Sequence, residues 1–250
     1  MKNNPKNKPT IKNIQNKFLL LHPLGEDELK ALAGKEEEPV LAKLAAAALE
    51  GFRAGQQEAE ASSGKKAKQA NPWPWYTGWQ ARRREDGELL AYFFFRGPQQ
   101  HGEVQLRGLL FPAGESCLAL EKKEDLCQQA LGMLLQWAFA QDSCYFITSP
   151  CAEEDAAWKR LLQKCAFLQP DAEADSQLWE LERPASTWMS VIMCMGLSVG
   201  LSLGSALFDN MSLGMGIGLL IGLCIGLALD ESDKKLRKQL REARKQKPAG

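Results

Sequence analysis

The sequence predicts an α+β fold, a mixed and mainly antiparallel sheet flanked by helices, followed by a two-helix transmembrane hairpin. Three observations carry this expectation. Between Phe18 and Glu182 apolar runs of strand period alternate with amphipathic runs of helical period in the succession βααβββαβαβ. From Thr187 to Leu229 two uncharged apolar runs follow each other, and glycine recurs at every fourth position of both.

Composition sets outer bounds. The chain has 250 residues, with 31 basic and 31 acidic side chains and a net charge of zero, so no overall field favours nucleic acid. Without the apolar tail, enough chain is left to bury one sizeable core. The seven cysteines form no CxxC pair, which suits reduced cytosolic thiols, and no metal site is expected. Cys194 and Cys224 lie in the apolar runs and are read as small apolar residues.

Residues 1–16 are rich in Asn, Lys and Pro and are expected to be disordered, brushing anionic lipid. They are basic but lack an apolar core with a cleavage site, so they do not form a secretory signal. Residues 17–184 are expected to form the folded domain. Phe18 to Pro23 reads as a strand that stops at proline. Gly25-Glu26-Asp27 opens a helix with negative charge at its amino end, and Leu29, Leu32 and Ala33 share one face. Pro39 to Arg53 is a second helix, followed by a polar segment, residues 55–72, expected to be a mobile loop.

From Trp75 to Arg82 the period is that of a strand; Glu85-Asp86-Gly87-Glu88 is a hairpin turn, Leu89 to Arg96 its partner, and Glu103 to Phe111 a third strand. Lys122 to Gln141 is an amphipathic helix through Leu126, Ala130, Met133, Leu134 and Trp137. Tyr145 to Thr148, Glu153 to Lys164 and Leu178 to Leu181 complete the domain as strand, helix and strand. Trp73, Trp75 and Trp79 are read as hairpin core, with an aromatic platform or membrane-surface anchor as the alternative. His22 and His101 have no acidic or cysteine partner at ligand spacing and are read as ordinary.

The segments LLLHPLGEDELKAL, WYTGWQARRREDGELLAYFFFRGP, GEVQLRGLLFP, QQALGMLLQWAFAQ and WKRLLQKCAF resemble, in order and spacing, the GNAT superfamily of acyl-CoA N-acyltransferases. The likeness is greatest to the branch that modifies ribosomal-protein termini and polyamines, and it spans Phe18 to Glu182. The resemblance implies acetyl-CoA as cofactor and an amine as acceptor. It places the pyrophosphate at the amino end of the long helix, so Lys122, Lys123, Leu126 and Cys127 are the candidate cofactor residues. Yet the stretch Lys123-Glu124-Asp125-Leu126-Cys127 lacks the family's glycines there and carries two carboxylates.

The family's acidic base on its fourth strand corresponds to Gln105, which cannot take a proton. Glu103 on the same strand face is the candidate catalytic substitute, with an exposed edge carboxylate as the plain alternative. The family's cofactor-facing Asn and Ser correspond to Asp155 and Trp158, and its closing glycine to Ala166. These departures imply a retained fold with a degenerate cofactor site, that is, a pseudoenzyme.

The hairpin, residues 187–229, follows a short link. Trp188 to Phe208 and Met211 to Leu229 are each close to the roughly 20 residues that cross a bilayer, and they meet at Asp209-Asn210. Gly196, Gly200 and Gly204 fall on one stripe, as do Gly214, Gly218, Gly222 and Gly226, the spacing of a glycine zipper in which two backbones pack closely. Glycine at this density would destabilise a helix in water, whereas lipid enforces backbone hydrogen bonding. A soluble glycine-rich linker or buried core hairpin is the weaker alternative.

The basic tail, residues 230–250, marks the cytoplasmic side, which puts both the domain and the tail there. Gly216, Ser198 and Ser202 give the helices a second small face able to meet another copy of the chain. The expected function is a membrane-tethered binding or scaffolding domain whose partners are membrane lipid and an unspecified protein or amine. The alternatives are an active acetyl-CoA-dependent N-acetyltransferase on a membrane-proximal amine and a self-associating membrane protein.

Overall fold

The computed structural model describes residues 12–35, 37–61, 75, 77–97, 102–111, 120–141, 143–152, 155–169, 177–185, 188–207 and 210–245. Trp73, Tyr76, His101, Asp209, most of the expected mobile loop and most of the amino-terminal segment lie outside them. The chain divides after Arg183 into two compact units.

The first unit carries one seven-stranded sheet in sequence order: β1 (Ile14–Gln15), β2 (Leu19–Pro23), β3 (Gly78–Arg83), β4 (Leu89–Arg96), β5 (Glu103–Leu110), β6 (Phe146–Pro150) and β7 (Leu178–Glu182). Every neighbouring pair is antiparallel except β5 and β6, which run parallel. Helices α1 (Glu26–Ala33) and α2 (Pro39–Ala61) cover one face, and α3 (Leu120–Phe139) and α4 (Ala156–Lys164) the other. The α+β class with a mixed, mainly antiparallel sheet is therefore the observed one.

Local chemistry explains the element ends. The Gly25 N–H donates to Glu28 Oε2 at 2.7 Å, so the acidic first turn of α1 satisfies its own orphan donor. Gly87 takes φ 75° in the β3–β4 turn, where Asp86 Oδ1 also accepts from the Glu88 N–H. Along β4, Ala91, Phe93 and Phe95 point to the α3 side while Tyr92 and Phe94 point to the α2 side, so both faces of this strand are buried. Trp75 and Trp79 pack on Trp137 with ring centroids 5.6 and 4.9 Å apart, which places them in the core and not on a surface platform.

Several bounds differ from those expected. Ile14–Gln15 is not disordered but pairs with Leu20 and Leu21 as an added edge strand. Helix α2 runs on through Ala61 into the polar stretch, whose Gln, Glu and Ala residues favour helix. His22, read as an ordinary histidine without a partner at ligand spacing, has Nε2 3.5 Å from Glu28 and Nδ1 3.0 Å from Asn13 Oδ1.

The second unit contains α5 (Trp188–Leu207) and α6 (Met211–Lys245), both long and apolar enough to cross a membrane. Their buried positions are Gly200, Gly204, Gly214, Gly218, Gly222, Gly226 and, near the carboxyl end, Arg237. Val191, Met195, Val199, Leu220, Ile221 and Ile225 face outward. This is the inverse of an aqueous hairpin, small inside and apolar outside. The Asp230 carboxylate accepts from the Trp188 and Met189 N–H groups at 3.0 and 3.3 Å and so caps α5. The basic segment is not separate from α6. It continues the helix, supported by i,i+4 pairs such as Asp233–Arg237, and Arg237 also donates to the Pro184 carbonyl.

Candidate functional site

Strands β5 and β6 pair only over Glu103 to Gln105 and Phe146 to Thr148. Beyond that register β5 continues beside β4 and β6 beside β7, so a gap opens between them. Trp158 of α4 fills it. The ring stacks toward Phe93 at 6.2 Å between centroids, and Nε1–H donates to Ser149 Oγ on β6 at 3.0 Å. On β5 the same ring lies over Gly108, where a Cβ would come within 2.8 Å of Trp158 Cε3. Trp158 is 2% exposed and Gly108 is the residue whose missing side chain admits it. Neither Gly108 nor Ser149 stands out in a search for reactive side chains; the signal in the sequence is a glycine inside a strand.

The four candidate cofactor residues separate onto two sides of α3. Lys123 and Cys127 turn into the core. Lys123 Nζ sits 3.1 Å from Glu88 Oε1, and Glu88 also meets Arg83 at 3.0 Å. Arg83 in turn bonds Asp86 and holds that carboxyl below its ordinary value. A buried ammonium committed to a carboxylate is not available to a phosphate. Burial pushes the Cys127 thiol up to about 11, outweighing the nearby Lys123 charge, so it is neutral at physiological pH.

Lys122 and Leu126 instead line a cavity of about 830 Å³ with Lys17, Phe18, Arg84 and Asp125, between the start of α3 and the end of the β3–β4 hairpin. The structure therefore does not bring the four together as one cradle.

Glu103 Oε1 accepts from the Thr148 hydroxyl at 3.0 Å across the parallel pair. Thr148 is buried, so this carboxylate is tied to the sheet. Asp155 is exposed at the amino end of α4, where its side chain makes no cap. Ala166, where the resemblance places a glycine, has φ 62°, a left-handed conformation that favours glycine. Among the described residues no three His, Cys, Asp or Glu side chains gather as a metal site.

Acetyl-CoA is the cofactor that the resemblance implies, and two observations bear on its fit. At the cofactor-facing position of α4 stands an indole that occupies the gap itself, bonded to one wall and pressed on the other. The one lysine of the pair that points inward is paired with Glu88.

In the second unit the two glycine stripes face each other. A Cβ on Gly200 would lie 2.9 Å from Gly218 Cα, on Gly204 2.7 Å from Gly214 Cα, and on Gly196 3.1 Å from Gly222 Cα. Gly226 approaches Met189 Cα in the same way, at 2.5 Å. Around Gly216 nothing lies within 4 Å.

No family model matches the sequence, and neither does any curated protein. Among solved structures the chain is similar to a GNAT-family acetyltransferase from Bacillus anthracis, at 8% identity over 69% of this chain and 99% of that one, with a TM-score of 0.40. It is also similar to an acetyltransferase from Agrobacterium tumefaciens, at 13% identity over 72% and 99% with a TM-score of 0.44. A third is the ribosomal-protein-S5-alanine acetyltransferase from Vibrio fischeri, at 8% identity over 69% and 97% with a TM-score of 0.42.

Proposed function

We propose that the chain is a membrane-tethered binding module, built on an acetyltransferase type of fold whose acyl-CoA site no longer accepts its cofactor. The observation that carries this reading is Trp158, which fills the gap between β5 and β6 while bonded to Ser149. Displacing a buried tryptophan forfeits about 3–5 kcal/mol of packing, a penalty that a cofactor would have to overcome before gaining anything. Gln105 at the position of the family's base, and Glu103 held by Thr148, support the same conclusion.

Tethering is supported by the outward apolar and inward glycine faces of α5 and α6. The basic residues that follow the apolar part of α6 favour a cytoplasmic position for both the domain and the tail. The glycine stripes are occupied within the hairpin, so association between copies has Gly216 and its neighbours as the remaining small face. Incubating the purified chain with acetyl-CoA and spermidine or amino-terminal peptides, while following release of the CoA thiol, tests the proposal. Release at the uncatalysed rate is expected; turnover restores the acetyltransferase reading.

A further inference from the structure

On the sheet face opposite Trp158, a slot of about 190 Å³ lies between α2 and the β4–β5 pair. Arg96 and Gln105 are directly paired across the two strands, Arg107 sits two residues further along the same face, and Lys43 reaches in from α2. All three cations are exposed, and among the described residues none of their side chains is ion-paired. The nearest carboxylate on this face of β5, Glu103, is engaged with Thr148 and does not line the slot. Elsewhere in this unit the arginines and lysines around a cavity are partly neutralised, as Arg83 is by Asp86 and Glu88. Here three positive side chains line one slot, and among the described residues no carboxylate lines it with them.

Such a slot repels an ammonium group and attracts an oxyanion. Its volume of about 190 Å³ is enough for a phosphate group. Two guanidiniums on neighbouring strands present planar donor forks that match phosphate oxygens, and Gln105 adds a neutral amide between them. Three cations call for more than one negative charge on the ligand. We propose that this slot binds a phosphate monoester, held by Arg96, Arg107 and Lys43. The phosphate can come from a soluble metabolite or from a lipid headgroup. The proposal goes beyond the functional reading above and stands apart from it, because the slot and the gap filled by Trp158 are on opposite faces.

The test uses the full chain in phosphatidylcholine nanodiscs, titrated with glycerol 3-phosphate by calorimetry. Saturable binding is expected, weakened at least about tenfold by Arg107→Gln and by Arg96→Gln, since each removes a charge-assisted contact. Lys159→Gln, on the far side of the sheet, should bind as the parent chain does. Because both arginines are exposed, the variants should unfold at the parent temperature, so lost binding reports lost contacts. If phosphatidic acid in the discs competes with glycerol 3-phosphate, the lipid headgroup is a source; if it does not, the ligand is soluble, and either result supports the site. Absence of saturable binding, or variants that bind like the parent chain, overturns it. The acetyl-CoA titration is kept independent of this site by running it in excess glycerol 3-phosphate, which denies the slot to the ribose phosphate of acetyl-CoA.

Discussion

The indole N–H of Trp158 donates to Ser149 Oγ at 3.0 Å inside the core, so the side chain that fills the gap between β5 and β6 is also fastened to its wall. A buried donor or acceptor left without its partner costs about 1–3 kcal/mol. Trp158→Phe should retain much of the apolar contact yet lower stability by about that amount in urea unfolding of the full chain. Ser149→Ala, which strands the indole N–H, should have an effect of the same order. Unchanged midpoints in both would mean that the hydrogen bond does not hold the ring.

The ring also needs the open backbone at Gly108. Gly108→Ala would press a methyl group into Cζ3, Cη2 and Cε3 of the Trp158 ring, a rigid neighbour bonded at its other edge. Overpacking of this kind costs about 1–3 kcal/mol. The penalty should shrink by about 0.5 kcal/mol or more in a Trp158→Phe background, because the two positions touch. Strict additivity in a double-mutant cycle would contradict the contact.

Ala166 carries a different strain. Its φ of 62° costs an L-residue about 1–2 kcal/mol, while glycine there would add about 0.5–1 kcal/mol of unfolded-state entropy. The first effect is the larger, so Ala166→Gly should stabilise the domain by about 0.5–1 kcal/mol. Destabilisation would show that the left-handed conformation is not adopted.

In the hairpin, Gly200 and Gly216 make an internal comparison. A methyl on Gly200 meets Gly218 Cα at 2.9 Å, whereas one on Gly216 meets nothing within 4 Å. Gly200→Ala should therefore lower the thermal midpoint of helical circular dichroism in detergent, and Gly216→Ala should leave it unchanged or raise it. Equal responses would rule out the facing glycines as the packing contact.

Alkaline pH offers a further check. Burial pushes the Cys144 thiol up to about 12 and the Cys127 and Cys165 thiols up to about 11, against about 8.5 for an unfolded chain. Above that lower value the folded chain holds protons that the unfolded chain has lost. The stability linked to these thiols is therefore complete below about pH 8.5 and falls as pH rises toward the folded values. Cys144→Ala should flatten this decline between about pH 9 and 11, and an unaltered slope would contradict the shift.

Local patterning made the strands and helices legible: β4 begins and ends at Leu89 and Arg96, as its run of apolar residues between a turn and a Gly-Pro pair indicates. What it could not show was partners far along the chain. Lys123 belongs to the buried stripe of α3 because Glu88, on a distant hairpin, neutralises it; taken alone, a lysine at a helix start points to phosphate. Trp158 was legible only as a departure from a resemblance, since its inward direction depends on how α4 lies over Gly108. The apolar run marks only the part of α6 up to Leu229, while the i,i+4 pairs Glu231–Lys235 and Asp233–Arg237 support the helix beyond it. In the hairpin the glycine spacing gives only a stripe on each helix; which glycines meet, Gly200 with Gly218 and Gly204 with Gly214, depends on how the two helices lie together.

The most direct measurement is calorimetric titration of the full chain with acetyl-CoA, in parallel with Ser149→Ala and Trp158→Phe. With Trp158 in the gap, the parent chain, held in excess glycerol 3-phosphate so that the slot beside α2 is filled, should give no saturable heat at millimolar acetyl-CoA. Micromolar binding by the parent chain would contradict the degenerate site and make the chain an acyl-CoA protein after all.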